Sequence, residues 1–582
     1  MSDTPDPNAA LQAMFDAGQA MAQGFSQFLA TQKQFVDTAV PGAGGPQAMP
    51  GWGPDAEAIA ALQKDWMARH GLLWQSMMGR PAGAAGEPVA PTATKDSRFK
   101  GEAWAASPIF DYLRQSYLIN AEYLRQMADA APVSDGLAKN RLRFFTRQFV
   151  DAMAPSNFIA TNPELIKTAL DTQGESLTNG IKNLIADMER GRISMSDNDA
   201  FEVGRNLAIT PGTVVFENEL IQLIQYAPLT EKVAKRPFLI VPPCINKFYI
   251  LDLQPENSFV RYAVEQGHTV FLVSWRNPQA DQGTLTWDDY LELGPLTAIR
   301  VVREICGEKE INALGFCVGG TILSSALAVA KARGESPVAS LTLLTTLLDF
   351  SDTGEISYFV DEASVSAREN TIGRGGLLSG NELNSTFAAL RANDLIWQYV
   401  VGNYLKGGTP PAFDLLYWNG DATNLPGPFT AWYLRNMYLE NNLRVPGKLT
   451  MCGVPADLGR LDMPVFIYAS REDHIVPWKS SYLGRNLLGG ETTFVLGASG
   501  HIAGVINPPA KMKRNFWTNA STTANPDQWF EGAAEVKGSW WPTWAEWLGG
   551  YAGGEVNARG KAGSKAYPAI EPAPGRYVKA KA

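Results

Sequence analysis

The chain reads as an α/β protein: a mostly parallel sheet with helices on both faces, preceded by a helical region and interrupted by an inserted cap. Three observations predict this. Short apolar runs alternate with helical stretches from about residue 206 onward, the rhythm of strands joined by helical crossovers. One of these runs, Ile311–Phe316, passes through Gly315-Phe316-Cys317-Val318-Gly319-Gly320 directly into a helix. The rhythm then lapses between about 351 and 460 and resumes with two further apolar runs.

Length and composition bound the answer. A chain of 582 residues exceeds what one hydrophobic core organises, so two domains are the simplest expectation. Hydrophobic residues at 45% and charged residues at 19% describe a globular bulk. The net charge of -9 argues against a nucleic-acid partner, which wants a basic face. The start, Met-Ser-Asp-Thr-Pro-Asp-Pro, is acidic and lacks the apolar run of a secretory signal. No stretch approaches the roughly 18 apolar residues of a spanning helix, so a soluble cytoplasmic protein is expected. The cysteines (244, 306, 317, 452) form no CxxC pair, which predicts neither a disulfide framework nor a bound metal. A catalytic imidazole has four candidates, His70, His268, His474 and His501.

In chain order, residues 8–39 read as an amphipathic helix carrying Leu11, Phe15, Phe25 and Phe28. A Gly- and Pro-rich segment, Pro41–Pro50, ends it; a second helix is expected over Asp55–Met78, and Pro81–Thr94 is a low-complexity linker. Residues 1–95 are therefore read as a leader on flexible joints, mobile or partner-bound, with plain disorder as the alternative. Residues 96–205 form a helical N-terminal domain, as in Phe110, Leu113, Tyr117, Leu118 and Leu124.

Residues 206–582 are the catalytic domain. Strands are expected in Thr213–Tyr226, Pro237–Val241, His268–Trp275, Ile311–Phe316, Leu341–Leu348, Pro464–Ala469 and Thr492–Leu496, with a helix over Thr321–Arg333. The 351–460 block holds Gly373–Gly376 and the aromatics Trp397, Tyr404, Tyr417, Trp418, Trp432 and Tyr433. It is read as a lid with exposed aromatics over the sheet's carboxyl edge. The tail bearing Lys561, Lys565, Lys579 and Lys581 is read as a solvated end without a role.

Gly315–Gly319 is a G-x-C-x-G form of the nucleophile elbow, in which a strained strand-to-helix turn lifts the nucleophile from the sheet. The helix start beneath it favours thiolate. Such an elbow predicts an acid and then a base, each just past a later strand. Pro464–Ala469 is followed by Ser-Arg-Glu-Asp473-His474, and Thr492–Leu496 by Gly-Ala-Ser-Gly-His501. These loops lie where open α/β sheets place their sites. The expected triad is Cys317, Asp473 and His501; Glu472 is the rival acid, and His474 a loop residue or a hydrogen bonder beside the acid. The loop after Val241 and the Val318 amide are expected to supply an oxyanion hole. Cys244, in that loop without a base of its own, reads as structural, and His268 and His70 likewise.

Several motifs closely resemble the class I polyhydroxyalkanoate synthases of the α/β-hydrolase superfamily: Gly-Phe-Cys-Val-Gly-Gly, Pro242–Leu253, Ser470–Trp478, Gly497–Pro509, Asn157–Glu164 and Gly538–Trp544. The likeness runs from about residue 100 to the carboxyl terminus. It implies polymerisation of short-chain (R)-3-hydroxyacyl-CoA such as 3-hydroxybutyryl-CoA, coenzyme A leaving as the acyl group passes to Cys317. It also implies that Asn246 and Val318 hold the oxyanion, and that Asp473 orients His501 or helps activate the attacking hydroxyl. A dimer on polymer granules is implied, the leader serving granule and phasin contacts, with no cofactor beyond the coenzyme A of the substrate. Arg391 is a candidate phosphate or lid contact. Two rival readings stand beside this one: a cysteine-type hydrolase of lactones, esters or polyester, and an inert granule scaffold.

Overall fold

The computed structural model describes residues 56–78, 88–90 and 96–582. They fall into two compact units, one ending at Thr168 and one comprising Ala169–Ala582. The expected helix at 8–39 lies outside the described residues.

In the first unit the helix Ala56–Met78 packs along the helix Pro108–Ala130. Leu73 is buried, and the Trp66 indole donates to Asn120 Oδ1 at 2.7 Å with His70 Nε2 3.1 Å from the same oxygen. The Gln115 side chain accepts from the Val89 and Ala90 amides beyond. The expectation of a loosely tethered leader is thus corrected for these residues: the helix is a working part of a small helical core. Its apolar stripe, mixed with Ala and Gln, reads weakly without the partner helix in view. The unit boundary also differs from the divisions at 95/96 and 205/206, since the helix Glu175–Arg190 belongs with the second unit. There the Asn183 amide donates to the Asn403 carbonyl at 3.0 Å.

The second unit is built on one sheet, whose strands in chain order are β1 (Gly212–Glu217), β2 (Ile221–Tyr226), β3 (Phe238–Val241), β4 (Val270–Trp275), β5 (Ile311–Phe316), β6 (Val338–Leu344), β7 (Val465–Ser470), β8 (Thr492–Gly497), β9 (Asn515–Thr518), β10 (Ala534–Lys537) and β11 (Glu571–Pro572). Across the sheet the order is β10-β9-β8-β7-β6-β5-β3-β4-β2-β1-β11. The centre from β4 to β8 is parallel and the flanks are antiparallel. Central strands read as unbroken apolar runs because both faces are covered. Leu239 and Val241 enter one apolar layer, Phe238 and Ile240 the other. The outer strands β9, β10 and β11 were not expected; β10, at one edge, is exposed throughout and carries no alternation to betray it.

Two expectations about the second unit are corrected. Of the six cap aromatics named above none is exposed: Trp418 and Tyr433 are buried and the other four half-buried, and Trp287 of the core stacks against Phe429, Trp432 and Tyr433 at centroid distances of 5.2, 4.9 and 5.4 Å. They form the seam by which the insertion holds to the sheet domain. Nor is the carboxyl-terminal tail a free end. Its lysines are exposed, but Lys581 pairs with Asp421, β11 pairs with β1 and Val578 is buried. No helix among the described residues is long and apolar enough to cross a membrane.

Candidate active site

Cys317 ends β5 and opens the helix Val318–Ala332 with φ 54° and ψ -129°, a backbone conformation that L-residues rarely adopt. The surroundings enforce the turn. A Cβ on Gly315 would lie 2.3 Å from the Gly320 Cα, and one on Gly319 would lie 2.4 Å from the carbonyl oxygens of Val241 and Pro242. Only glycine lets strand, helix and the loop after β3 approach this closely. The Cys317 amide donates to the Leu344 carbonyl at 2.9 Å, and the Thr346 hydroxyl to the Cys317 carbonyl at 3.3 Å.

Asp473 follows β7, its side chain fully enclosed. One carboxylate oxygen accepts from the Ile475 and Val476 amides at 2.9 and 2.8 Å, and the other lies 2.6 Å from His501 Nδ1. His501 begins a short helix after β8 and is buried, its ring stacked on Phe316. The Cys317 sulfur lies near enough to act on the charge of the imidazole. Burial disfavours the charged ring, but the charges of Asp473 and Cys317 together outweigh it and push His501 up to about 10. The structure therefore brings Cys317, His501 and Asp473 into one contiguous set, with the sulfur less enclosed than the ring beside it.

The remaining sequence candidates separate. The Val318 amide opens the helix, where backbone N–H groups lack intrahelical acceptors. Asn246 lies in the loop after β3, its backbone bridged to Ala422 of the cap, with the Ile245 carbonyl accepting from the Thr423 amide at 2.9 Å. His474 turns toward Gly354, where its carbonyl would lie 2.6 Å from a Cβ. Glu472, the rival acid, donates its amide to the Ser499 carbonyl, while the contact with His501 is made by Asp473. Arg391 ends the cap helix Gly380–Leu390 and pairs with Asp394 at 2.6 Å on the surface. Cys244 is enclosed, and burial pushes its thiol well up, keeping it neutral. Burial likewise pulls His268 down to about 4.

Sequence reasoning missed two groups. Tyr433 and Tyr438 of the cap pack edge to face at a centroid distance of 5.3 Å, and both phenols are pushed well up, by burial first and also by the neighbouring Cys317. Behind the imidazole, Trp540 and Trp541 donate to the Gly504 and Val505 carbonyls at 3.1 and 2.9 Å, closing the His501 helix. A cluster of tryptophans in Gly-Ser-Trp-Trp-Pro-Thr-Trp was the only local sign of that brace.

Residues 95–263 match the family described as "Poly-beta-hydroxybutyrate polymerase (PhaC) N-terminus", and residues 237–508 match "alpha/beta hydrolase fold". The chain is 57% identical over 529 residues to the "Poly(3-hydroxyalkanoate) polymerase subunit PhaC" of Cupriavidus necator, covering 90% of this chain and 89% of that one. It is 42% identical to the protein of the same name from Rhizobium meliloti, covering 91% and 87%. It is 43% identical to the "Poly(3-hydroxyalkanoate) polymerase" of Methylorubrum extorquens, covering 91% and 88%.

Proposed function

The chain belongs to the poly(3-hydroxyalkanoate) polymerase family, and on that footing we propose that it joins short-chain (R)-3-hydroxyacyl groups from their coenzyme A thioesters into polyester held on Cys317. The observation that carries this reading is the sulfur–imidazole–carboxylate set at the elbow, with an imidazole that Asp473 and Cys317 hold protonated to about pH 10.

In the first step the Cys317 sulfur attacks the thioester carbonyl. The developing oxyanion is met by the Val318 amide and the Asn246 loop. The intermediate collapses with loss of the coenzyme A thiolate, which takes the proton from His501. In the second step the 3-hydroxyl of another hydroxyacyl group attacks the acyl-cysteine. His501 accepts the hydroxyl proton, Asp473 supports the imidazolium so formed, and an ester bond replaces the thioester as the Cys317 thiolate leaves; that thiolate then takes the lengthened chain back from its coenzyme A thioester by a repeat of the first step. Exchange between thioesters is close to thermoneutral, so a cysteine keeps the acyl group activated for that transfer. A serine would trap it as a more stable ester.

Coenzyme A enters as part of the substrate, and no resident cofactor is invoked. Because the product is an insoluble chain held on the enzyme, the enzyme is carried to the surface of the polymer granule it makes.

The test is incubation with (R)-3-hydroxybutyryl-CoA. Release of coenzyme A together with an insoluble polyester is expected. Release of free 3-hydroxybutyrate without polymer would overturn the proposal and leave a hydrolase.

A further inference from the structure

Lys247 follows Asn246 in the loop after β3, is only 2% exposed, and takes no part in the mechanism above. Burial pulls its ammonium down to about 8, with the Asp421 charge working the other way. A charged amine in such a place must be matched by an acceptor. That acceptor comes from the far end of the chain, since Lys247 Nζ donates to the Ala580 carbonyl at 2.6 Å. The next residue completes a second tie. The Lys581 carbonyl accepts from Asn277 Nδ2 at 2.6 Å, and its ammonium pairs at 2.9 Å with Asp421, a buried carboxylate that also accepts from the Tyr249 hydroxyl.

The same residues reach the cap. Asn277 Oδ1 accepts from the Asn424 amide at 2.9 Å, and the Trp418 indole donates to the Lys247 carbonyl at 2.7 Å. The tail is itself anchored just upstream, where Val578 is buried and the Tyr577 hydroxyl donates to the Asn218 carbonyl at 2.7 Å. At its other end the loop abuts the nucleophile's helix, its Pro242 carbonyl lying 2.4 Å from a Cβ on Gly319.

We propose that the last residues of the chain are a strap that positions the oxyanion loop, with Lys247 the positioning residue through which Ala580 and Lys581 set that loop beside Cys317. This deepens the functional reading above and rests on its assignment of the Asn246 loop.

The test compares the intact chain with one ending at Lys579, measuring coenzyme A release from (R)-3-hydroxybutyryl-CoA and the melting temperature. Truncation is expected to lower kcat about ten-fold or more, because small displacements of a positioned group cost that much. KM should stay within about two-fold and the melting temperature within about 2 °C, a split that a general loss of structure does not give. In the truncated chain Lys247→Met should add nothing further, since both changes act on one contact. A truncated chain with full kcat, or losses that multiply, would overturn the strap. Where the truncated chain fails to fold, Lys581→Ala decides. Asp421 keeps its tyrosine partner there, kcat should fall about two- to three-fold at unchanged melting temperature as one tie of a network is lost, and an unchanged kcat overturns the proposal. An intact chain that releases no coenzyme A overturns both this and the functional reading, whereas altered variants of an active chain speak to the strap alone.

Discussion

At the elbow, backbone lies against backbone: Gly319 meets the Val241 and Pro242 carbonyls, and Gly315 meets Gly320. In the cap, by contrast, side chains carry the fastening. Arg435 bridges Glu369 and Glu362 of a neighbouring cap helix, and the aromatic stack on Trp287 holds the insertion to the core. π-helical turns at Asn393–Trp397, Val400–Leu405 and Leu434–Leu439 loosen the regular ladder in the cap. The difference teaches which part can be altered gradually. Backbone contact admits no intermediate, so the elbow either holds or fails, whereas a side-chain seam can be weakened one group at a time.

The largest expected effect removes the sulfur. Cys317→Ala should cut polymerisation by about 10⁴-fold or more at unchanged melting temperature, since nothing else in the set can carry the acyl group. Retained polymerisation would show that the elbow is not where the chain grows. Asp473→Asn should leave the fold intact and lower kcat by about 10²- to 10⁴-fold, because the imidazolium loses its buried counter-charge.

The same substitution should move the pH profile. His501 is raised from its ordinary 6.5 to about 10 in the folded protein, so the stabilisation it brings is complete below about 6.5 and is lost as pH climbs through about 10. Activity in the intact chain should therefore fall only as pH approaches about 10. With Asn at 473 the alkaline fall should begin nearer neutrality, and urea unfolding at pH 6, 8 and 10 should show the loss of stability starting earlier. An unmoved alkaline limb would detach Asp473 from the imidazole's proton.

Gly319→Ala sharpens the contrast on stability. Its Cβ meets two backbone oxygens that cannot turn aside, so about 1–3 kcal/mol of unfolding free energy should be lost along with most activity. The smallest effect is expected in the cap. Arg435→Ala should shift the melting temperature by less than about 2 °C, because exposed ion pairs contribute little, while changing KM by no more than about three-fold. A collapse of kcat there would mean that the cap belongs with the elbow rather than opposite it.

Much of this was legible in the chain itself. The glycines around Cys317 and the polar residues closing β7 and β8 are local features, each beside a strand whose apolar run is readable because both sheet faces are covered. That information determined the fold class, the chain order of Cys317, Asp473 and His501, and the preference for Asp473 over Glu472. Only the tertiary structure decided that Tyr433 and Tyr438 pack against each other in the cap, that Trp540 and Trp541 brace the imidazole's helix, and that the helix Ala56–Met78 is docked rather than loose. It alone showed Lys247 donating to a carbonyl 333 residues away. The physical reason is the same in each case. Periodicity and turn chemistry record what a residue's near neighbours require, but a contact between distant segments leaves no mark on either until the chain has closed.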